Sequence, residues 1–484
     1  MAKEKHIYIT TTLPYVNADP HVGFAMEIIR ADALARYYRL LGNAVFFNTG
    51  TDEHGAKIAE AAAKEGIDPQ AYTDRFAARF RELAPLLNLS VDNFIRTTDA
   101  HHVTAAQEFW KRCDAAGDIY KKLYKVKYCV GCELEKTDSE LLDGRCPIHP
   151  NRELEIREEE NYFFRFSKYT QPLLQFYEAH PDFVIPDFRF NETKAFVARG
   201  IEDFSISRLK SKMSWGVPVP GDDEHVMYVW FDALVNYISA IGWPDKMDEF
   251  ESWWPVIQYC GKDNNRQQSA MWQAMLMSAN LPNSKHIVID GFITSGGQKM
   301  SKSLGNVISP FEVIEVFKGV TQFPEDVLRF VLLHDIPSFE DGDMTMASIK
   351  ASYAAHLQNG LGNLTSRIMK MATTHGVIKG QYQGDPDTTR EKLVREDVEK
   401  FNLHGAIRGI WVEISGIDKY IQENEPFKLI KERPAEGKMM ISVLLLRLSS
   451  VAECLEPFLP CTAQEIQRLI RENKMPETPL FGRL

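Results

Sequence analysis

Residues 6–12, HIYITTT, alternate apolar and polar side chains and are rich in β-branched types, which predicts a strand. The turn-rich stretch LPYVNADPHVG follows. From Val22 to Leu41 apolar residues recur at helical spacing, and Gly42 is a natural residue for the turn that ends a helix. NAVFFNTG then predicts a second strand. Strand, loop, helix and strand within about 45 residues make a βαβ unit, so the two strands lie parallel in one sheet. Ligands of such sheets sit beyond the carboxyl ends of the strands, where both LPYVNADPHVG and TGTDEHG fall.

The pattern changes between residues 114 and 215, which hold a cysteine cluster, the run RELEIREEENYFFRFSKY and several turn signals. This stretch reads as an inserted domain. A Rossmann-like texture resumes at HVMYVWFDALVNYISAIG and continues through PVIQYCGKDNN, a helix around QSAMWQAMLMSAN, and the strand HIVIDGFIT. From about Ser348 the periodicity is helical almost to the end, as in a bundle with its own core, and QYQGDPDTTRE is its clearest exposed loop. The expected organisation is a catalytic first half at 1–113, an insertion at 114–215, a catalytic second half at 216–322, a linker at 323–350 and a helical domain at 351–484.

Composition narrows the classes. The chain has 484 residues, 44% of them hydrophobic and 25% charged, with a net charge of −11. That length suggests roughly two to four domains. The acidic balance argues against a general nucleic-acid coat, though not against a local basic surface for one folded RNA. The start has no signal-peptide h-region, and no apolar run approaches the ~18 residues of a membrane span, so a cytoplasmic address is expected. Of seven cysteines, Cys113, Cys260, Cys454 and Cys461 are scattered and read as packing residues of a reducing compartment.

Five stretches carry candidate chemistry. In HVGF, His21 to Phe24, an imidazole beside a glycine at a helix mouth can meet phosphate, and a structural histidine is the competing reading. In KMSKS, Lys299 to Ser303, lysines on a glycine-flanked loop can swing onto charge developing on a leaving pyrophosphate, and a solvated loop is the alternative. In TGTDEHG, Asp52 at a strand end suits a substrate ammonium or a helix N-cap, and Asp52 and Glu53 can divide the tasks. Cys129-x2-Cys132, thirteen residues and Cys146-x2-His149 have the spacing of a closed tetrahedral Zn²⁺ site, structural rather than catalytic. Trp230, Phe231 and Tyr237 form a stripe that on pattern alone is core.

HVGF and KMSKS lie on opposite halves of an α/β sheet interrupted by an insertion, in the chain order of class I aminoacyl-tRNA synthetases. The chain resembles the methionyl-tRNA synthetases of that class over nearly its whole length, in LPYVNADPHVG, TGTDEHG, ENYFFRFSKY, SWGVPVP, YVWFDALVNYI, GKDN, GFITSGGQKMSKSLGN and the PLF near the C-terminus. The insertion is too short for the editing domain of the valine, leucine and isoleucine relatives. The resemblance implies an α/β fold: a Rossmann-like parallel sheet catalytic domain with a zinc-knuckle insertion and a C-terminal α-helical anticodon-binding bundle. It implies methionyl-adenylate formation from methionine and ATP with Mg²⁺, then transfer to the terminal 2′-hydroxyl of tRNA(Met). His21 would hold the phosphates beside Gly23, and Lys299 and Lys302 would neutralise pyrophosphate. Gly261 and Asp263 would hold the ribose. Leu13, Tyr15 and Trp230 would wall the methionine side chain, with Asp52 at its ammonium. Asn363, Arg367 and Phe427 would read and stack on anticodon bases. Cys129, Cys132, Cys146 and His149 would hold one structural Zn²⁺.

Phe24 stands where the family has a second histidine, Gln267 and Gln268 where it commonly has an aromatic and a histidine, and Phe427 where a tryptophan is usual. Gln268 can still donate to a thioether. The appended tRNA-binding or dimerisation domain of some relatives is not expected here, which points to a monomer. Two other readings are a nucleotidylyltransferase of the related superfamily and a synthetase-like RNA-binding scaffold that has lost catalysis.

Overall fold

The computed structural model describes residues 5–129, 134–136, 141–147, 149–300, 305–381 and 389–484. Its first βαβ unit is β1 (His6–Thr10), α1 (Val22–Leu40) and β2 (Ala44–Thr51), with β1 and β2 parallel. Gly42 has φ +78°, the left-handed turn that its sequence position implied. The sheet continues with β3 (Asn93–Arg96), and α2 (Ala56–Glu65) and α3 (Ala100–Ala115) flank it.

Residues beyond α3 leave the sheet. β4 (Ile119–Cys129) and β5 (Glu155–Phe164) form a long antiparallel ribbon. The chain touches the parallel sheet again within the stretch read as an insertion, through β6 (Val184–Ile185), and leaves once more. The return expected at His225 does not occur there. Asp222–Met227 pairs antiparallel with Ser207–Leu209, and the short helix α4 (Val229–Leu234) follows. The parallel sheet resumes with β7 (Val256–Gly261) and β8 (His286–Asp290). Its order is β3-β2-β1-β7-β8-β6. The direction of winding therefore reverses between β1 and β7, and a crevice opens above their carboxyl ends.

Alternate residues of these strands feed two cores, as expected for a parallel sheet covered on both faces. Ile9, Phe47, Ile257 and Val288 join α1 in one. Tyr8, Val256, Ile287 and Ile289 join α3 and the inserted residues in the other. The first core runs on without a break through α5 (Pro324–His334) into a bundle of α6 (Asn363–His375), α7 (Leu403–Asn424), α8 (Pro426–Glu432), α9 (Pro434–Leu455) and α10 (Pro460–Glu472). Much of QYQGDPDTTRE lies outside the described residues, and Thr389–Glu399 is helical. Near the C-terminus, Thr321 Oγ1 donates to Leu480 O at 2.6 Å and Tyr353 OH to Gly482 O at 2.8 Å, so the PLF segment is docked.

Two buried arginines tie α1 to these later elements. Arg30 pairs with Asp290 at 3.0 Å and also donates to the carbonyls of Ile336, Pro337 and Ser338. Arg329 pairs with Asp32 of α1 at 2.7 Å and donates to Phe458 O and Pro457 O, between α9 and α10. Each fork meets several carbonyl or carboxylate oxygens, which compensates for burying the charge. No helix among the described residues is long and apolar enough to cross a membrane.

Candidate active site

A cleft of about 1350 Å³ lies over the carboxyl ends of β1, β2, β7 and β8. It is lined by His21, Gly23, Leu13, Tyr15, Asp52, Trp230, Gln268, Gly261 and Asp263, nine residues singled out from the sequence. Residues from both halves of the chain thus face one space.

The phosphate end is built on the first turn of α1. His21 is its N-cap, and its Nδ1 accepts the Gly23 N–H at 3.0 Å. With Nδ1 engaged as acceptor, the neutral ring carries its proton on Nε2, which is left as a donor toward the cleft. Protein around the ring strips part of its hydration and lowers its pKa from the ordinary histidine value, favouring that neutral form. A Cβ at Gly23 would stand 2.8 Å from the ring Cε1 and 2.9 Å from Nδ1, so glycine here makes room for the histidine. Phe24 lines the cleft and packs edge-on against Phe80 at 5.2 Å. Across the space, Gln298–Lys299 is a short strand, and Met300 lines the cleft with its Cε 3.7 Å from the Gly23 Cβ position. Met300 therefore sits close to the mouth of α1. Lys302 lies outside the described residues.

At the amino-acid end, the loop after β1 is zipped to the segment after β2: Asp52 N donates to Pro14 O at 2.9 Å and Val16 N to Asp52 O at 3.2 Å. This fixes Leu13 and Tyr15 beside Asp52. Asp52 and Glu53 do divide their tasks. Glu53 is closed onto Arg96 by bonds of 2.7 and 2.8 Å. Asp52 is buried, yet its Oδ1 has no hydrogen-bond partner among the described residues. Neither side chain caps α2, whose N-cap is Gly55. Gly55 has φ +120°, and a Cβ there would meet Tyr15 Oη at 2.6 Å and Val229 Cγ2 at 2.9 Å. Burial first, and then the negative charge of Asp232, push the Asp52 carboxyl well above the usual carboxylate range. A bound ammonium would restore the ionised form.

Trp230 on α4 closes this end. The aromatic stripe divides: Phe231 is core, whereas Tyr237 is buried and also lines the cleft. Gln268, 1% exposed, gives its Nε2 to Tyr237 Oη at 2.7 Å and accepts Gln258 Nε2 at 2.9 Å. One N–H of the donor expected to reach a thioether is thus given to Tyr237, and both residues line the cleft. Burial raises the Tyr237 pKa, so the phenol keeps its proton as a donor. The Gln267 Oε1 is buried without a hydrogen-bond partner among the described residues.

At the third end, Gly261 leaves space that a Cβ would lose, 2.9 Å from Asp263 Oδ1. Glu27 and Asp290 line the same wall, and the sequence reading missed both. Glu27 Oε1 accepts from Thr12 N at 2.6 Å. Burial, with Asp290 beside it, pushes Glu27 up to about 8. Burial likewise raises Asp290 to about 6 against the pull of Arg30. The signal available was the charged trio Glu27, Arg30 and Asp32 inside the otherwise apolar AMEIIRADAL.

The remaining candidates lie elsewhere. At the tip of the β4–β5 ribbon, Cys129, Cys146 and His149 bring their ligand atoms within 4.8 Å of one another, and Cys129 Sγ is 3.8 Å from His149 Nδ1. Two thiols and an imidazole converging in this way fit a soft or borderline metal ion. Cys132 lies outside the described residues. In the bundle, Asn363 is exposed at the start of α6, Arg367 pairs with Asp418 of α7, and Phe427 on α8 is 42% exposed. None of the three lines the cleft.

The family model described as tRNA synthetases class I (M) matches residues 7–153 and 138–369. A methionine--tRNA ligase of Thermosynechococcus vestitus is 40% identical over 481 residues, covering 95% of this chain and 89% of that protein. One of Brucella suis is 40% identical over 480 residues, covering 96% and 92%. A solved Mycobacterium tuberculosis methionyl-tRNA synthetase in complex with methionyl-adenylate superposes with a TM-score of 0.89 at 35% identity, covering 99% of this chain and all of that one. With the switch-point cleft and the convergence of its two motif-bearing halves, these matches place the chain in the class I methionyl-tRNA synthetases.

Proposed function

We propose that the cleft activates methionine with ATP and passes the methionyl group to tRNA(Met), with the cleft-lining residues in the following roles. ATP, supplied with Mg²⁺, lies with its phosphates at the mouth of α1, where His21 Nε2–H and the first-turn amides donate to phosphate oxygens. Its ribose lies against Gly261 and Asp263. Methionine places its ammonium on Asp52 and its side chain among Leu13, Tyr15 and Trp230, and the Tyr237 hydroxyl, oriented by Gln268, donates to the sulfur. The methionine carboxylate attacks the α-phosphate, the bond to the β-phosphate oxygen breaks, and pyrophosphate leaves. Lys299 and Lys302 neutralise the charge that grows on it. In the second step the terminal 2′-hydroxyl of the tRNA attacks the methionyl carbonyl and AMP departs.

Cys129, Cys132, Cys146 and His149 would hold one Zn²⁺, which when bound closes the tip of the ribbon and takes no part in the reaction. Residues 1–113 and 216–322 serve as the catalytic halves, 114–215 as the inserted domain, 323–350 as the linker and 351–484 as the anticodon-binding domain. There Asn363 and Arg367 would read bases and Phe427 would stack on one. A cytoplasmic site of action suits cysteines that form no disulfide among the described residues.

The observation that carries this reading is the buried Asp52 oxygen without a hydrogen-bond partner among the described residues, in the cleft that Tyr15, Trp230 and His21 also line. Methionine-dependent ATP–pyrophosphate exchange, followed by charging of tRNA(Met), tests it. Absence of exchange with pure protein, ATP, Mg²⁺ and methionine would leave an RNA-binding scaffold as the better account.

A further inference from the structure

Behind the amino-acid end of the cleft lies a buried chain of polar groups that none of the steps above uses. Asp232 sits on α4, two residues past Trp230, and is fully buried. Its Oδ2 lies 2.6 Å from His54 Nδ1 and its Oδ1 2.8 Å from His102 Nε2. His102 Nδ1 is in turn 2.9 Å from Ser239 Oγ. His54 stands two residues past Asp52, and His102 belongs to α3. One carboxylate therefore joins the strand end that carries Asp52, the helix that carries Trp230, and the helix behind both. The Trp215 ring lies against His54 at 5.5 Å, and its Nε1 donates to Glu53 O at 2.6 Å, which holds His54 from the other side.

The arrangement is electrostatic as well as mechanical. Burial alone would raise Asp232, but the two imidazoles hold it down to about 2, so it keeps its charge. The titratable groups around Asp52 are few. Tyr15 faces it from the loop after β1, and Glu53 on its own segment is closed onto Arg96. Asp232 faces it from α4 and is the charge that most opposes its ionisation. Tyr228, Lys57 and Glu60 line the same cleft.

We propose that Asp232, gripped between His54 and His102, is a positioning residue for the amino-acid substrate: it holds Asp52 against Trp230, and its charge, tempered by the imidazoles, governs how readily Asp52 ionises to meet the ammonium. This rests on the assignment of Asp52 to the methionine ammonium.

The test is pyrophosphate exchange from about pH 5.5 to 9, with KM for methionine and for ATP measured in Asp232→Asn, His54→Gln and Asp52→Asn. Asp232→Asn should raise the methionine KM about tenfold, leave the ATP KM within about twofold, and move the acid limb of 1/KM for methionine to lower pH. His54→Gln leaves Asp232 less compensated and should move that limb to higher pH. Limbs that stay in place or move the same way, or an ATP KM that rises in step, overturn the proposal. If Asp232→Asn fails to fold, the direction of the His54→Gln limb decides. An Asp52→Asn variant with an unchanged methionine KM overturns the Asp52 assignment and this inference together. A raised KM there with unmoved limbs in the other two variants overturns this inference alone.

Discussion

Replacing Gly23 by alanine should separate catalysis from stability. The new Cβ would fall 2.8 to 2.9 Å from two atoms of the His21 ring. Those ring atoms belong to the residue two positions earlier, so turning the His21 side chain is the easiest relief. Turning it breaks the Gly23 N–H to Nδ1 bond and removes Nε2–H from the phosphate end. The lost cap costs about 0.5–2 kcal/mol. Alanine in place of glycine in a helix returns up to about 1 kcal/mol. The two nearly cancel, so Tm should fall by no more than about 2 °C. Loss of one donor aimed at transition-state charge costs about 2.7–4 kcal/mol, or 10²–10³ in rate. The assays are methionine-dependent pyrophosphate exchange and thermal unfolding on the same preparation. Exchange within about threefold of the parent would refute the reasoning, because His21 would then keep its role despite the clash. A Tm loss of about 8 °C or more would refute it differently, by showing that the helix end and not the ring gives way.

Further outcomes follow from other contacts. Gly55→Ala meets both an unfavourable φ and the Tyr15 hydroxyl, so the methionine KM should rise about tenfold or more, read from exchange kinetics. Lys302→Ala should cut exchange about 10²–10³-fold while equilibrium dialysis shows methionine still bound. Glu27, pushed up to about 8 in the fold, keeps a proton there that the unfolded chain has already lost. The parent Tm should therefore fall as pH rises from about 6.5 to 8.5, and Glu27→Gln should flatten that slope; equal slopes would show that Glu27 does not titrate there. Cys146→Ser should lower bound metal from about one equivalent toward none by elemental analysis, with pyrophosphate exchange retained.

The sequence made the first βαβ unit legible because its strands and helix differ in period and because Gly42 punctuates them. His21, Asp52 and Gly261 could be found because each follows a strand or opens a helix, where ligands of such sheets sit. The return of Val184–Ile185 to the parallel sheet was not legible. Two residues carry no period, and their partners on β8 lie about a hundred positions away. The Rossmann-like texture expected to resume at His225 misled for a related reason: an apolar run fits an antiparallel sheet as well as a parallel core. Glu27 and Tyr237 escaped because local pattern assigns one to a helix face and the other to the core. Only packing shows that the polar ends of both reach the same cleft. The Gln268 bond to Tyr237 is likewise a tertiary fact, since two amides and a phenol far apart in the chain give no local sign that they meet.

The guanidinium forks of Arg30 and Arg329 bear on how this enzyme could trade parts with its relatives. Asp32 lies near the start of the chain, Arg329 well past its middle, and the carbonyls of Pro457 and Phe458 near its end. A chimera that imports a foreign bundle while keeping the native first helix would strand one of these partners, and an orphaned buried charge costs about 3–5 kcal/mol. Successful grafts should be those that carry residues 32, 329 and the 457–458 turn as one inherited set, however different the rest of the donor is.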